Sequence, residues 1–428
     1  MNLGYKRMIY KKIGEYVHLL MEPLPRKQTV LEFIYTSGGS WFEKSMDRGK
    51  KHLLEHCIVA RTKKQNFQEF KDYQFSQNIN VNAYTGSIIM GLDFHGHYSD
   101  TLEMLSLMTE VAFKPTFDDS ILHQEKEIVL REISERRGEP SYKLYFDKVN
   151  QIFRANSYDT HEVLGDSECV RQTTIADFER LMMENLQTSH LIINIAGGFE
   201  ADKMEEFLQS ELSKTKIITN FEPKLKQTID FQPKSQFNQF GFLPIVHELA
   251  HEHAEVSLYI PCEVNFENRA VNDIFSELFS KWHGVLYDTL RNKLGLIYSM
   301  SGSFKISQQM LVIDFATEIE NVEKCLQAIY EILSDFEKAF EAKKFEELKQ
   351  VLNKKMEISS DNLTTNLYFC QNSLMDYGVF EDLNAYLKRL MACNQDDIKK
   401  MFNLLKSNLK DKKVVIVSKD AKIEKLLV

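Results

Sequence analysis

The sequence has no apolar stretch long enough to span a bilayer. Its first twenty residues interleave Lys6, Arg7, Lys11, Lys12 and Glu15 with apolar ones, so they lack the continuous apolar region of a secretory signal. There is no Cys-x-x-Cys pair: the six cysteines, Cys57, Cys169, Cys262, Cys325, Cys370 and Cys393, are scattered and read as reduced core thiols, pointing to a cytoplasmic location. Basic charge is not in excess. A net charge of -9 argues against a nucleic-acid partner, because phosphate binding is driven by clustered Lys and Arg. Low-complexity segments and short-period repeats are missing as well, which disfavours a solenoid. What remains is ordinary for a globular protein, with 43% hydrophobic and 27% charged residues. A chain of 428 residues exceeds one hydrophobic core, so two domains of about 200 residues each are expected.

The patterns along the chain support that division. Alternating residues with turn signals at Pro23 to Pro25 and Gly38-Gly39 predict strands near 14–21 and 28–36, followed by a helix from about Asp47 to Ala60. The stretch from Asn78 to His95 predicts one or two strands, and helical patterns follow near 99–113, 118–138 and 173–186, then a strand from Leu191 to Ala196. Periodicity weakens from Lys216 to Phe242, where the interdomain linker is placed, giving a first domain over 1–215 and a second over 243–428. The second half repeats the order, with a strand at Val256 to Pro261, a helix over 269–291, strands within 297–316, long amphipathic helices over 321–358 and 362–404, and a last strand from Lys413 to Ser418. The expected fold class is α+β: two similar domains, each a largely antiparallel sheet with helices packed on it.

Within the first predicted helix, His52 and His56 stand four positions apart and project from one face, a spacing that lets two neutral imidazoles converge on one Zn2+. Glu55, three positions after His52, sits at the edge of that face, within reach of a metal-bound water. By itself the pattern also describes a helix with two surface histidines and a solvated carboxylate. Its context adds weight: Ser37-Gly38-Gly39-Ser40 and Gly49 precede it, and Asn82-Ala83-Tyr84-Thr85 and the segment Glu125 to Ile133 follow.

In that order these segments resemble the insulinase-like (insulinase or pitrilysin) zinc metallopeptidase family, in its short two-domain form. The resemblance spans most of the first domain and implies that the chain forms half of a clamshell. It implies Glu132, 76 residues after His56, as the third zinc ligand and Glu125, seven positions earlier, as a supporting carboxylate. A seven-residue step is about two helical turns, so Glu125 and Glu132 share a helix face and Glu125 can orient a metal-bound imidazole. Two histidines and one glutamate leave a fourth position open, the mark of a catalytic zinc. The resemblance continues through Leu290 to Tyr298 and implies that Tyr298 donates a hydrogen bond to the developing oxyanion while Arg291 holds substrate. Lys50 and Lys51, where the family has small or apolar residues, and Arg61, where many members have Gly, suggest a more basic mouth to the site.

The family's implied reaction is peptide hydrolysis, with Glu55 as general base toward a zinc-activated water and an extended peptide, in processing or leader removal, paired to the edge strand Asn82, Ala83, Tyr84 and Thr85. Its closed chamber is built from four domains. A two-domain chain therefore implies a partner, either a second copy or a related subunit, and the alternative role is a non-catalytic or partner-dependent subunit. A second string, His247-Glu248-Leu249-Ala250-His251, has the forward zincin order, but Pro244 just before it and the β-rich run from Glu255 to Ile260 leave no room for the required helix. His95, His97, His123 and His161 have no ligand spacing and are read as surface or capping residues.

Overall fold

Strands β2 (Val17–Pro23) and β3 (Gln28–Tyr35) consist of residues buried on both faces, as β-branched and aromatic segments in the middle of a sheet should be. Together with β1 (Ile9–Ile13), β4 (Asn80–Thr85), β5 (Met90–His97) and β6 (Leu191–Gly197) they form a six-stranded sheet in the order β1-β2-β6-β3-β5-β4. β7 (Phe242–Val246), β8 (Ala254–Pro261), β9 (Ile297–Lys305), β10 (Met310–Thr317) and β11 (Lys413–Ser418) form a second sheet in the order β7-β11-β8-β10-β9. Apart from β1 the two sheets have the same connectivity. In each, the first strand runs parallel to the last (β2 with β6, β7 with β11) and every other pairing is antiparallel. The chain is thus two similar α+β domains, as the repeated element order predicts. This computed structural model describes residues 8–214, 234–238, 241–249, 251–281 and 284–426. Most of the expected linker over 216–242 lies outside the described residues.

The differences from the sequence reading have local causes. Pro244, which argued against a helix there, sits inside β7, an edge strand where a missing N–H costs no ladder bond. The long helices expected over 321–358 and 362–404 are each divided. Gly378, in the left-handed region at φ +68°, ends the helix Thr365–Tyr377, and Asn394 starts the helix Gln395–Asn408 with a capping box. The helix expected over 269–291 comprises Arg269–Phe279 and a short Val285–Tyr287 helix that continues into a π-helical turn at Asp288–Lys293; residues 282–283 lie outside the described residues. The helices Phe67–Gln77, Pro140–Ile152, Ser167–Gln172 and Ala201–Lys214 and the strands β1 and β7 had no assignment.

The packing divides the chain into two compact units. The first contains the six-stranded sheet and includes the late segment Ser360–Asp382; the second contains the five-stranded sheet and includes the early segment Ser141–Thr160. On the first sheet, Leu367, Cys370 and Leu374 of the helix Thr365–Tyr377 pack with Leu20, Ile34, Ile192 and Ala196. Buried polar pairs fix their register: Asn366 donates to Glu22 (3.0 Å), and Asn194 donates to both Glu32 (2.7 Å) and Gln371 (2.5 Å). On the second sheet, Val149 and Ile152 pack with Ile245, Tyr259, Val312 and Val417. The first sheet is therefore completed by a helix encoded far downstream. A fragment ending at residue 214 is expected to show no cooperative denaturant transition unless a peptide spanning 360–382 is supplied. In the full chain Leu374→Ala should cost about 2–5 kcal/mol, read from the same denaturation curve.

Candidate metal centre

The helix Lys50–Ile58 is only nine residues long, and its start is prepared by backbone geometry. Gly49 takes φ +89°, and a β-carbon there would lie 2.8 Å from the Leu164 carbonyl oxygen. No side chain of Gly49 can cap the helix, and Glu43 does so instead: it accepts from the N–H of Gly49 (2.9 Å) and of Lys51 (2.7 Å). Leu53, Leu54, Cys57 and Ile58 are buried, which turns His52 and His56 toward a second helix, Asp119–Gly138. That helix is capped by Asp118 and buries Leu122, Val129 and Ile133, and Glu125 and Glu132 lie together along one edge of that buried stripe.

The three proposed ligands converge. His52 Nε2 lies 3.5 Å and His56 Nε2 3.8 Å from the same oxygen, Glu132 Oε2, and the ligand atoms all lie within 4.8 Å of one another. Ligands about 2.0–2.1 Å from a tetrahedral zinc sit roughly 3.3–3.5 Å apart, so the set fits that ion with small adjustments. Among the described residues this is the one cluster of histidine, cysteine and carboxylate groups with such convergence. His56 Nδ1 is bonded to Glu125 Oε2 at 3.0 Å, which leaves Nε2 free to act as a ligand. Burial lowers the pKa of His52, against the attraction of Glu132, and so favours the neutral imidazole that binds metal. Burial raises the pKa of Glu55, partly offset by His56 and by hydrogen bonds from Thr85. The carboxylate is thereby made more basic and tied to β4.

Strand β4 lies at the edge of its sheet, paired on one side by β5. Asn82 is exposed, Ala83 is buried, the Tyr84 hydroxyl donates to Glu32, and Thr85 Oγ1 donates to the Lys51 carbonyl at 3.4 Å. Arg291 and Tyr298 belong to the other compact unit. Arg291 donates to the Ile297 carbonyl at 2.5 Å, while Tyr298, 45% exposed, donates to Glu318 and stacks on His253 with ring centroids 3.7 Å apart.

Lys50 and Lys51 do not make the site more basic, contrary to the expectation from sequence. Both point inward. Lys50 pairs with Asp47 (3.2 Å) and Asp177 (3.0 Å), and Lys51 donates to the Ser37 carbonyl at 3.1 Å. Burial pulls the Lys51 pKa down to about 8, with Glu43 opposing the shift. Arg61 is taken up by Asp118 at 3.2 Å. The forward zincin string forms no helix among its described residues: His247 contacts Asp147 (3.3 Å) and His251 contacts Glu255 (3.4 Å). His95 bonds Asp93, His97 caps a short turn, His123 is exposed, and His161 bonds Ser40. Sequence reasoning missed Glu43 and the bond from Thr85 to the Lys51 carbonyl. A cap supplied from six residues upstream of Gly49 has no spacing rule to announce it.

A family model described as insulinase (peptidase family M16) matches residues 19–167, and another described as the peptidase M16 inactive domain matches residues 173–352. The uncharacterized zinc protease YmxG of Bacillus subtilis is 21% identical over 399 residues, covering 89% of this chain and 91% of that protein. Mitochondrial-processing peptidase subunit beta of Dictyostelium discoideum is 20% identical over 190 residues, 43% of this chain and 39% of that one. A solved structure of a protease from Helicobacter pylori superposes with a TM-score of 0.74 at 16% identity, covering 96% of this chain and 99% of that one, a likeness of fold.

The geometry separates ligand from support. His52→Ala, His56→Ala and Glu132→Ala should each abolish stoichiometric zinc binding. Glu125→Ala should weaken it by about 10 to 100-fold, because the imidazole loses its orienting partner but keeps its nitrogen. Titration against a chromophoric chelator measures all four, and unchanged affinity in Glu125→Ala would reduce that residue to a helix-packing role.

Proposed function

We propose, for a chain that belongs to the insulinase family (peptidase family M16), that it is a zinc-dependent endopeptidase acting on extended peptides. The observation that carries this reading is the convergence of Glu132 on His52 and His56, whose helix also bears the half-buried Glu55, next to Thr85 at the end of the edge strand. Held by those three groups, a zinc ion supplies a Lewis acid that acidifies water and polarises the scissile carbonyl. Glu55 takes the proton of the attacking water and hands it to the leaving amine; its burial brings its basicity closer to what proton transfer near neutral pH requires. The unpaired side of β4 receives substrate backbone as an added strand, so that an extended shape matters more than any one side chain. Thr85, at the end of that strand, lies next to the base, which keeps a bound peptide near the proton acceptor.

Arg291 and Tyr298 enter as substrate-binding and oxyanion-stabilising groups. The Tyr298 hydroxyl donates to Glu318 in the free chain and must exchange that bond for one to substrate. We take the working site to be composite, with the zinc half from one chain and the Arg291/Tyr298 pair from another, and a symmetric homodimer is the simplest closed assembly. The similarity to a protein named as a processing-peptidase subunit supports a partner chain and keeps a related subunit in view as that partner.

Two experiments test this reading. Glu55→Gln should keep about one zinc per chain yet lose peptide cleavage, since a base and not a ligand has been removed; wild-type turnover in that variant would rule out the mechanism. Mixing separately inactive Glu55→Gln and Tyr298→Phe chains after dissociation should restore cleavage, because one site of each mixed dimer combines an intact zinc half with an intact Tyr298. If exchange is verified by native mass and the mixture stays inactive, the composite homodimer is wrong. Activity that appears only on adding a second, related chain would identify a partner-dependent subunit.

A further inference from the structure

Three bonds meet at Lys51, the residue before the ligand His52. Its N–H donates to Glu43 (2.7 Å), its Nζ donates to the Ser37 carbonyl (3.1 Å), and its carbonyl accepts from Thr85 Oγ1 (3.4 Å). Each bond leads to a different segment. Glu43 also holds the N–H of Gly49, so its carboxylate grips the first turn of the metal-bearing helix at two points. Ser37 opens the loop that pairs with the segment after β4: Gly39 N–H donates to Ile88 (2.8 Å), Ser40 N–H to Gly86 (3.1 Å) and Trp41 N–H to Ser87 (2.8 Å). Thr85 is the last residue of β4. A β-carbon on Gly39 would lie 2.4 to 2.5 Å from the backbone of Ser87 and Ile88, so this loop and the end of the edge strand are in direct contact. The helix with the ligands, the edge strand and the loop between them thus close into a ring of bonds joined at Lys51 and Glu43.

The charge arrangement fits a joint better than a surface contact. Lys51 is 3% exposed, its ammonium is bonded to the Ser37 carbonyl, and the Glu43 carboxylate is taken up by two N–H groups of the helix start. Removing either side chain leaves buried polar partners of the same ring without their bond, so the two losses act on one structure. A nine-residue helix has little stability of its own, so the groups at its first turn decide where it sits along its axis. A slide of one residue moves it by about 1.5 Å, enough to separate His52 and His56 from Glu132.

We propose that Glu43 and Lys51 are positioning residues that hold the metal-bearing helix at one height against the edge strand, and thereby set the affinity of the His52, His56 and Glu132 site for zinc. The proposal rests on the metal reading above and assigns neither residue a contact with the ion. The test is a double-mutant cycle of Glu43→Gln, Lys51→Met and the two combined, in the full chain. Zinc affinity is measured by chelator competition well below each variant's unfolding temperature, with kcat and KM for one peptide at saturating zinc. Each single change should weaken zinc about tenfold, the size of a lost supporting contact, and the double variant should be no weaker than the worse single, because both break the same joint. If Glu43→Gln fails to fold, Glu43→Asp keeps the charge while its shorter reach gives up one of the two N–H groups, and it should show a smaller loss in the same direction. Thermal midpoints that fall while zinc affinity stays within twofold of wild type would overturn the proposal, as would losses that simply multiply in the double variant. If the unsubstituted chain binds no zinc, both the metal reading and this proposal fail; normal zinc binding with unmoved variants sinks this proposal alone.

Discussion

The helix Lys50–Ile58 meets the helix Asp119–Gly138 at the bond between His56 Nδ1 and Glu125, and the candidate metal centre hangs on that crossing. A seven-residue step on the long helix presents two carboxylates to two imidazoles spaced by four on the short one. One carboxylate orients and the other faces the ligand nitrogens. Rotation of either helix by one residue, about 100°, would turn a whole pair away. The apolar backs of both helices, Leu53, Leu54 and Ile58 on one and Leu122, Val129 and Ile133 on the other, hold that rotation by burial.

The polar groups behind the site have a different task from those inside it. Asp47 accepts from Lys50 and from Arg180, and Asp177 accepts from the same two cations while capping its own helix, Ile175–Thr188. Such a network contributes little net stability, because desolvation offsets most of the attraction. What it supplies is direction: charges that must be paired admit few arrangements of the segments that bear them. Residues that look from sequence like a basic rim to the site are thereby consumed in holding its scaffold.

The two sheets share one strand order and differ in what they carry. The helices that accompany the first hold the two histidines and two glutamates of the candidate metal centre, whereas the second sheet and the turn before it bear Tyr298 and Arg291. A common fold has been given separate chemistry, and chemistry has to be argued from sites and not from connectivity. Each sheet also buries one face under a helix from the other half of the sequence, so neither half of the sequence holds a complete core.

The sequence by itself determined which residues are available to a metal and how they are grouped. Spacings of four and seven within helices are local, and helical geometry converts them directly into shared faces, so His52 with His56 and Glu125 with Glu132 were legible as pairs, as was the repeated α+β order. The step from two pairs to one site joins residues 76 positions apart and came from a resemblance, because no local rule measures the distance between helices. Tertiary structure alone decided that Glu43 caps a helix whose first turn has no capping side chain, that Thr85 bonds the Lys51 carbonyl, and that Lys50 and Lys51 turn inward. It also decided that the helix Thr365–Tyr377 belongs with a sheet encoded more than a hundred residues earlier. In each case the partner lies outside the reach of periodicity, and the direction of a charged side chain depends on which buried counter-charge the fold brings to it.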